Sequence, residues 1–277
     1  RNIRNSIYGK EDMNLIVNAD DFGMSHTKNL AIDEMMKKNI CTNASLVVNM
    51  PSTYEAVELA VKNGYDDRIT LHLNLTVGES LTKDIRKIEL YYHNNQFAYR
   101  PVITMDKQIY PNFIEVITSE LDAQIKKFLK LGIQIKSIDS HNWIHLRLPV
   151  WYALQPIIEK YNIQIIRPMW SRYKCSEIAT EKWSEYFRKI EPILLKCPQY
   201  NVIEHSSNIE QFLVDEAVLS GLKNIEVFTH PDIVQGKIMD LSSSYLGRSK
   251  AQVIDNVALI KKYQKISVNY ILEEIRK

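Results

Sequence analysis

Apolar and polar positions alternate along this chain in two rhythms. Short runs rich in β-branched residues read as strands: 14–19 (NLIVNA), 44–49 (ASLVVN), 69–75 (ITLHLNL), 135–139 (IKSID), 163–167 (IQIIR), 201–205 (NVIEH), 225–230 (IEVFTH) and 266–270 (ISVNY). Most are nearly continuous in apolar residues, the pattern of strands covered on both faces. Between them, apolar residues recur at helical spacing over 26–38, 52–63, 112–131, 149–161, 176–196, 208–221 and 249–263. Ser25 or Thr27 can cap the first of these helices, Pro149 opens the fourth, and Gly132 and Gly221 stand where helices end. Strand–helix alternation predicts an α/β protein with a parallel sheet. Seven or eight such units in 277 residues suit a (β/α), TIM-barrel-like single domain over 14–277 better than an open sheet. Residues 1–13 read as a polar N-terminal extension, partly disordered. The segment 78–111 breaks the rhythm and is expected to form a small hairpin or a lid.

Composition narrows the function classes. A net charge of +2 with interspersed signs gives no nucleic-acid footprint, and no apolar run reaches membrane-spanning length. Cys41, Cys175 and Cys197 are odd in number and widely spaced, so they indicate neither a disulfide framework nor a thiolate zinc site. A soluble, cytoplasmic protein without nucleic-acid or membrane partners is expected, and a homodimer is compatible with this reading.

The chemistry-bearing residues collect where the strands end. LIVNADDFGMS (15–25) runs from an apolar strand into two adjacent carboxylates, Asp20 and Asp21. Burying like charges side by side is costly unless a cation compensates them. His72 lies in LHLNLT, Asp139, His141 and His145 in DSHNWIH, and His230 in THPD. In parallel α/β folds, catalytic groups gather beyond the C-terminal ends of strands. Taken singly, each residue has a structural explanation: Asp pairs cap turns, and a strand histidine is usually hydrogen-bonded in the core. Together they fit a carboxylate and two imidazoles around a divalent ion. One aspartate then binds the ion and its neighbour accepts a proton from water.

IVNADDFGMS, LHLNLTVGESL, IDSHNWIH and EVFTHPD together resemble the carbohydrate deacetylase family typified by YdjC and the chitooligosaccharide deacetylase ChbG, in order from about residue 14 to about residue 250. The resemblance implies an irregular (β/α) barrel that removes the acetyl group from an N-acetylated sugar with one divalent metal, magnesium or zinc. It implies Asp21, His72 and His141 as metal ligands, Asp20 as general base, and His230 as the acid that protonates the leaving amine or as a partner of the water; if His230 is not the acid, His145 is the next choice. It places Arg167 near the substrate. Trp143, Trp170, Asn74 and Asn142 suit a sugar's apolar faces and hydroxyls, and His145 belongs with that substrate-binding group. Asn142 and Trp143 stand where family members carry histidines, and Thr70 and Leu71 where a glycine is usual. Two other readings stay open: another metal-dependent barrel hydrolase, acting on a phosphoester or a cyclic amide, and a sugar-binding protein without catalysis.

Overall fold

The computed structural model describes residues 13–89, 91–97, 112–168, 186, 190–215, 219, 221–241, 260 and 263–276. Parallel strands alternate with helices, so the chain has the α/β, TIM-barrel-like class that its sequence predicts. It forms two compact units, one of residues 1–19, 30–43 and 165–277, the other of residues 20–29 and 44–164.

The strands are β1 (Asn14–Phe22), β2 (Asn43–Leu46), β3 (Ile69–Leu73), β4 (Tyr92–His93), β5 (Gln96–Phe97), β6 (Ser137–Ser140), β7 (Ile165–Ile166), β8 (His205–Asn208), β9 (Asn224–Thr229), β10 (Pro231–Val234), β11 (Lys237–Asp240) and β12 (Gln264–Lys265). The helices are α1 (His26–Lys37), α2 (Thr53–Asn63), α3 (Phe113–Lys130), α4 (Leu148–Lys160), α5 (Ile209–Asp215) and α6 (Val268–Arg276).

In the first unit, β1 pairs in parallel with β9 from Asn14↔Asn224 to Ala19↔Thr229, and β9 pairs with β8. β12 joins β1 on its other side. Ile16, Ile165, Ile203 and Ile266 pack with Val268, Ile271 and Leu272 of α6 as one apolar cluster. The 266–270 run is therefore mainly the start of a helix rather than a strand. Val268, Ile271 and Leu272 fall at i, i+3 and i+4, the spacing of one helical face. The strand expected at 201–205 is displaced to 205–208, with a tight helical turn over Pro198–Asn201 before it.

In the second unit, β2, β3 and β6 form a parallel ladder. Its register sets His72 beside Asp139, so both side chains emerge on one face. Helix α3 buries Ile117, Leu121, Ile125 and Phe128, a stripe of i, i+4, i+8 and i+11. The same helix also buries Glu120 and Gln124. Glu120 accepts the backbone N–H groups of Leu81 (3.1 Å) and Thr82 (2.8 Å), and Gln124 bridges the backbone N–H and C=O of Asn74. These bonds anchor the start of the expected 78–111 excursion, which contains the β4–β5 hairpin. Tyr91 and Tyr92 pin it from within, stacked on Phe113 and against Phe97. Residues 1–12, Tyr99, most of the rest of the excursion, Trp170, Cys175 and most of the predicted helices at 176–196 and 249–263 lie outside the described residues.

Candidate metal centre

Residues 20–29 and 44–164 contain the cluster, and β1 supplies its first part. Successive strand residues point to opposite faces, which would send Asp20 and Asp21 apart. Asp21 instead has φ 72, in the left-handed region. Aspartate tolerates that conformation better than most residues, because its short side chain bonds locally. Gly23 follows with φ +89, and its N–H bonds Asn29 Oδ1 at 2.7 Å. A Cβ on Gly23 would stand 2.8 Å from the Val47 carbonyl oxygen, so this position admits only glycine without a backbone shift.

The bend brings both carboxylates to His72. One ligand-capable atom from each of Asp21, His72 and His141 lies within 4.8 Å of the others, and Asp20, His72 and Asp139 form a second such group. Asp21 Oδ1 is 2.9 Å from His141 Nδ1 and 3.6 Å from His72 Nε2. The two imidazoles stand edge to face with centroids 5.8 Å apart. Asp139 Oδ1 accepts the proton of His72 Nδ1 at 2.8 Å, while its Oδ2 accepts the Ser45 hydroxyl at 2.6 Å. Ser45 in turn lies 3.0 Å from Thr70 Oγ1.

Burial of His72 works to lower its pKa, but Asp139, then Asp21 and Asp20, outweigh it and push it up to about 10. The negative charge around the ring is the charge a dication would neutralise. His72 Nε2 is buried and no described protein group hydrogen-bonds it. Without a cation this pKa leaves a proton on Nε2; a dication that displaced it would meet a lone pair there while Nδ1–H stays with Asp139, the arrangement of a metal-binding histidine. The donor set therefore fits a divalent cation held by Asp21, His72 and His141. Lys28 Nζ sits 3.1 Å from Asp21 Oδ2, on the far oxygen of that carboxylate.

The remaining predicted residues of this unit lie around the cluster. Asn142 (φ 54) and Trp143 (φ 56) both take left-handed backbone directly after His141. Trp143 is half-buried with its ring 6.2 Å from that of His145. His145 is fully buried, its Nδ1 2.5 Å from Ser140 Oγ. Asn74 is also fully buried. It donates to Asn49 Oδ1 and the Val77 carbonyl and accepts from the N–H groups of Thr76 and Val77, which holds the 74–77 turn. Asn142 Nδ2 reaches Thr76 Oγ1 at 3.2 Å and ties that turn to the 141–143 segment.

Arg167 and His230 belong to the other unit. Arg167 is buried, bonds Glu226 Oε1 through Nε at 2.7 Å, and carries its guanidinium 5.4 Å from the Phe228 ring centre. The His230 ring packs edge-on to Phe228 at 5.7 Å, and the residue's backbone N–H donates to Asp240 Oδ1 at 3.0 Å. Sequence reasoning noticed Asp139 without giving it a task, and missed Ser45 and Lys28. Only the β3–β6 register could have revealed the first. Nothing in the sequence distinguishes the other two from ordinary surface and strand residues.

Fold and cluster together define an α/β protein with a buried aspartate–histidine cluster whose donor atoms could hold a metal ion. The chain belongs to the YdjC-like protein family, whose model matches residues 14–258. It is 31% identical over 238 residues to a carbohydrate deacetylase of Clostridium beijerinckii, covering 84% of this chain and 86% of that one. It is 30% identical over 222 residues to a carbohydrate deacetylase of Brevibacillus brevis, covering 76% and 85%. Among solved structures, a protein of Enterococcus faecalis V583 described as acting in cellobiose-phosphate cleavage shares the fold, with TM-score 0.64 and 19% identity over 94% of this chain and 99% of that one. No helix among the described residues is long and apolar enough to cross a membrane.

Proposed function

We propose that the protein is a metal-dependent carbohydrate N-deacetylase, a hydrolase that releases acetate from an N-acetylated sugar of chitooligosaccharide type. The observation that carries this reading is the convergence of Asp21, His72 and His141, with a buried His72 Nε2 that no described group hydrogen-bonds, in a chain whose relatives are named carbohydrate deacetylases. When bound, a divalent cation supplies Lewis acidity, polarising the acetyl carbonyl and lowering the pKa of water. One carboxylate oxygen and two imidazoles favour zinc or another borderline ion over magnesium.

The chain's own residues do the rest. Asp20, buried beside Asp21, accepts the proton of the attacking water. Asp139 fixes the tautomer and the orientation of His72. His230 protonates the leaving amine, a role that rests on the resemblance of EVFTHPD. For the sugar, Trp143 offers an aromatic face; the role of Arg167 near the substrate rests on the resemblance alone, since its charge is matched by buried Glu226. His145 and Asn74 act from beneath, His145 under Trp143 and Asn74 by shaping the 74–77 turn.

The test is acetate release from diacetylchitobiose and related sugars by purified protein, stripped with chelator and then resupplied with zinc, magnesium, manganese or cobalt. Release that disappears on stripping and returns with metal is expected. Asp20→Asn should keep its metal and lose on the order of 10²-fold or more in turnover. No acetate from any N-acetyl sugar with metal present would refute the deacetylase reading. Full activity of Asp20→Asn would refute the assignment of the base.

A further inference from the structure

Asp21 presents its two oxygens to different partners. Oδ1 faces His141 at 2.9 Å and His72 at 3.6 Å, while Oδ2 holds the ammonium of Lys28 at 3.1 Å. The Lys28 side chain is 13% exposed and that of Asp21 5%. The lysines paired with Asp33, Glu34, Asp84 and Asp122 are 44% to 78% exposed. Pairs of that exposed kind contribute little. Lys28 differs because it has been drawn out of solvent onto a residue that the cation reading makes a ligand.

We propose that Lys28 is a positioning residue of the metal centre, which confines Asp21 to ligation through one oxygen and limits how tightly the centre holds a dication. The inference rests on the reading of Asp21 as a ligand. Three physical consequences follow from the contact. A carboxylate with both oxygens available can bind in one- or two-oxygen mode, and an ammonium on Oδ2 removes the second mode. A fixed positive charge a few ångströms from the cation repels it, so affinity is held below what two histidines and a carboxylate would otherwise give. Without metal, the same ammonium gives Asp21 a counter-charge, which reduces the repulsion among Asp20, Asp21 and Asp139. In this role Lys28 touches neither substrate nor cation and works through Asp21.

The test compares the full chain with Lys28→Met, which keeps the length and loses the charge, and Lys28→Arg, which keeps the charge. Lys28→Gln serves as a second charge-removing variant should Lys28→Met misfold. Each protein is stripped with chelator, then titrated calorimetrically with zinc and with manganese, and its melting is followed with and without metal. Lys28→Met and Lys28→Gln should bind the dication at least about tenfold tighter than the wild type, tenfold being what loss of a like charge a few ångströms away gives even with full water screening. They should also melt lower than the wild type when metal-free and gain more from added metal. Lys28→Arg should stay within about threefold of the wild-type affinity. A merely structural lysine would lower stability without tightening the metal. If the wild type takes up one dication and the charge-removing variants bind it no tighter, this inference fails alone. If neither the wild type nor the variants bind a dication, the metal reading fails with it.

Discussion

Replacing Asp139 by asparagine isolates what its charge does for His72. In the wild type, Asp139 Oδ1 accepts His72 Nδ1–H at 2.8 Å and Oδ2 accepts the Ser45 hydroxyl at 2.6 Å. Asparagine can keep both contacts. Its carbonyl oxygen still accepts from Nδ1, and its NH₂ meets Ser45 Oγ, which can turn its own proton toward Thr70 Oγ1, 3.0 Å away. Geometry is thus retained while one buried negative charge is lost, and the imidazole becomes a weaker donor at Nε2. Partners of this kind are typically worth 10- to 100-fold in metal affinity, or roughly 1.4–2.7 kcal/mol. Asp139→Ala should do more harm, because it also leaves a buried N–H unsatisfied at about 1–3 kcal/mol and lets the ring rotate. Calorimetric metal titration of both variants, with urea denaturation of the stripped proteins, separates the two effects. If Asp139→Asn bound metal as tightly as the wild type, the orienting role would be wrong. If it bound none at all, Asp139 would itself be a ligand, through the alternative group it forms with Asp20 and His72.

Three further outcomes follow from the geometry. Gly23→Ala must place a Cβ 2.8 Å from the Val47 carbonyl oxygen at φ +89, so it should cost about 2 kcal/mol or more in urea denaturation; a neutral effect would mean the 21–23 bend is not fixed. Glu120→Ala strips the acceptor from the N–H groups of Leu81 and Thr82 and should cost about 2–4 kcal/mol, with faster proteolysis of the 80s segment; a loss below about 0.5 kcal/mol would show that water replaces it. At Asp122, partial burial opposes ionisation, but Lys126, Lys160 and Tyr161 outweigh it and hold the carboxyl down to about 2. Because the folded value lies below the ordinary 3.8, its stabilisation is present above that pH and is lost as the pH falls through about 2. With screening around the exposed lysines, Asp122→Asn should cost about 1 kcal/mol near neutral pH and nothing in strong acid; a difference that does not change with pH would refute the ion-pair account.

The strands that read most clearly in the sequence were those whose apolar content was unmistakable. NLIVNA, ITLHLNL and IEVFTH became β1, β3 and β9 with ends shifted by a few residues at most. β8 was misplaced because its residues, HSSN, are polar although the first three are buried, and the apolar pair Val202–Ile203 just ahead of it drew the reading upstream. The start of α6 reads as a strand because β-branched Ile266 and Val268 outweigh a helical stripe that shows only further along. At the centre, the residue types at strand ends were legible because chemistry restricts them. Their supports were not. Asp139 reaches His72 through strand register across 67 positions, and Ser45 reaches Asp139 across 94. Lys28 is one of 35 lysines and arginines, and its sequence position carries no mark of its burial.

The left-handed turn at Asp21 ties coordination chemistry to backbone conformation at a single position. Of the common ligating side chains, aspartate and asparagine accept that conformation cheaply, whereas glutamate, with its extra methylene, meets steric cost before any bond to an ion is counted. Re-engineering this centre for a different ion would therefore begin with the path of the main chain from residue 20 to residue 23, and the choice of donor atoms would come second.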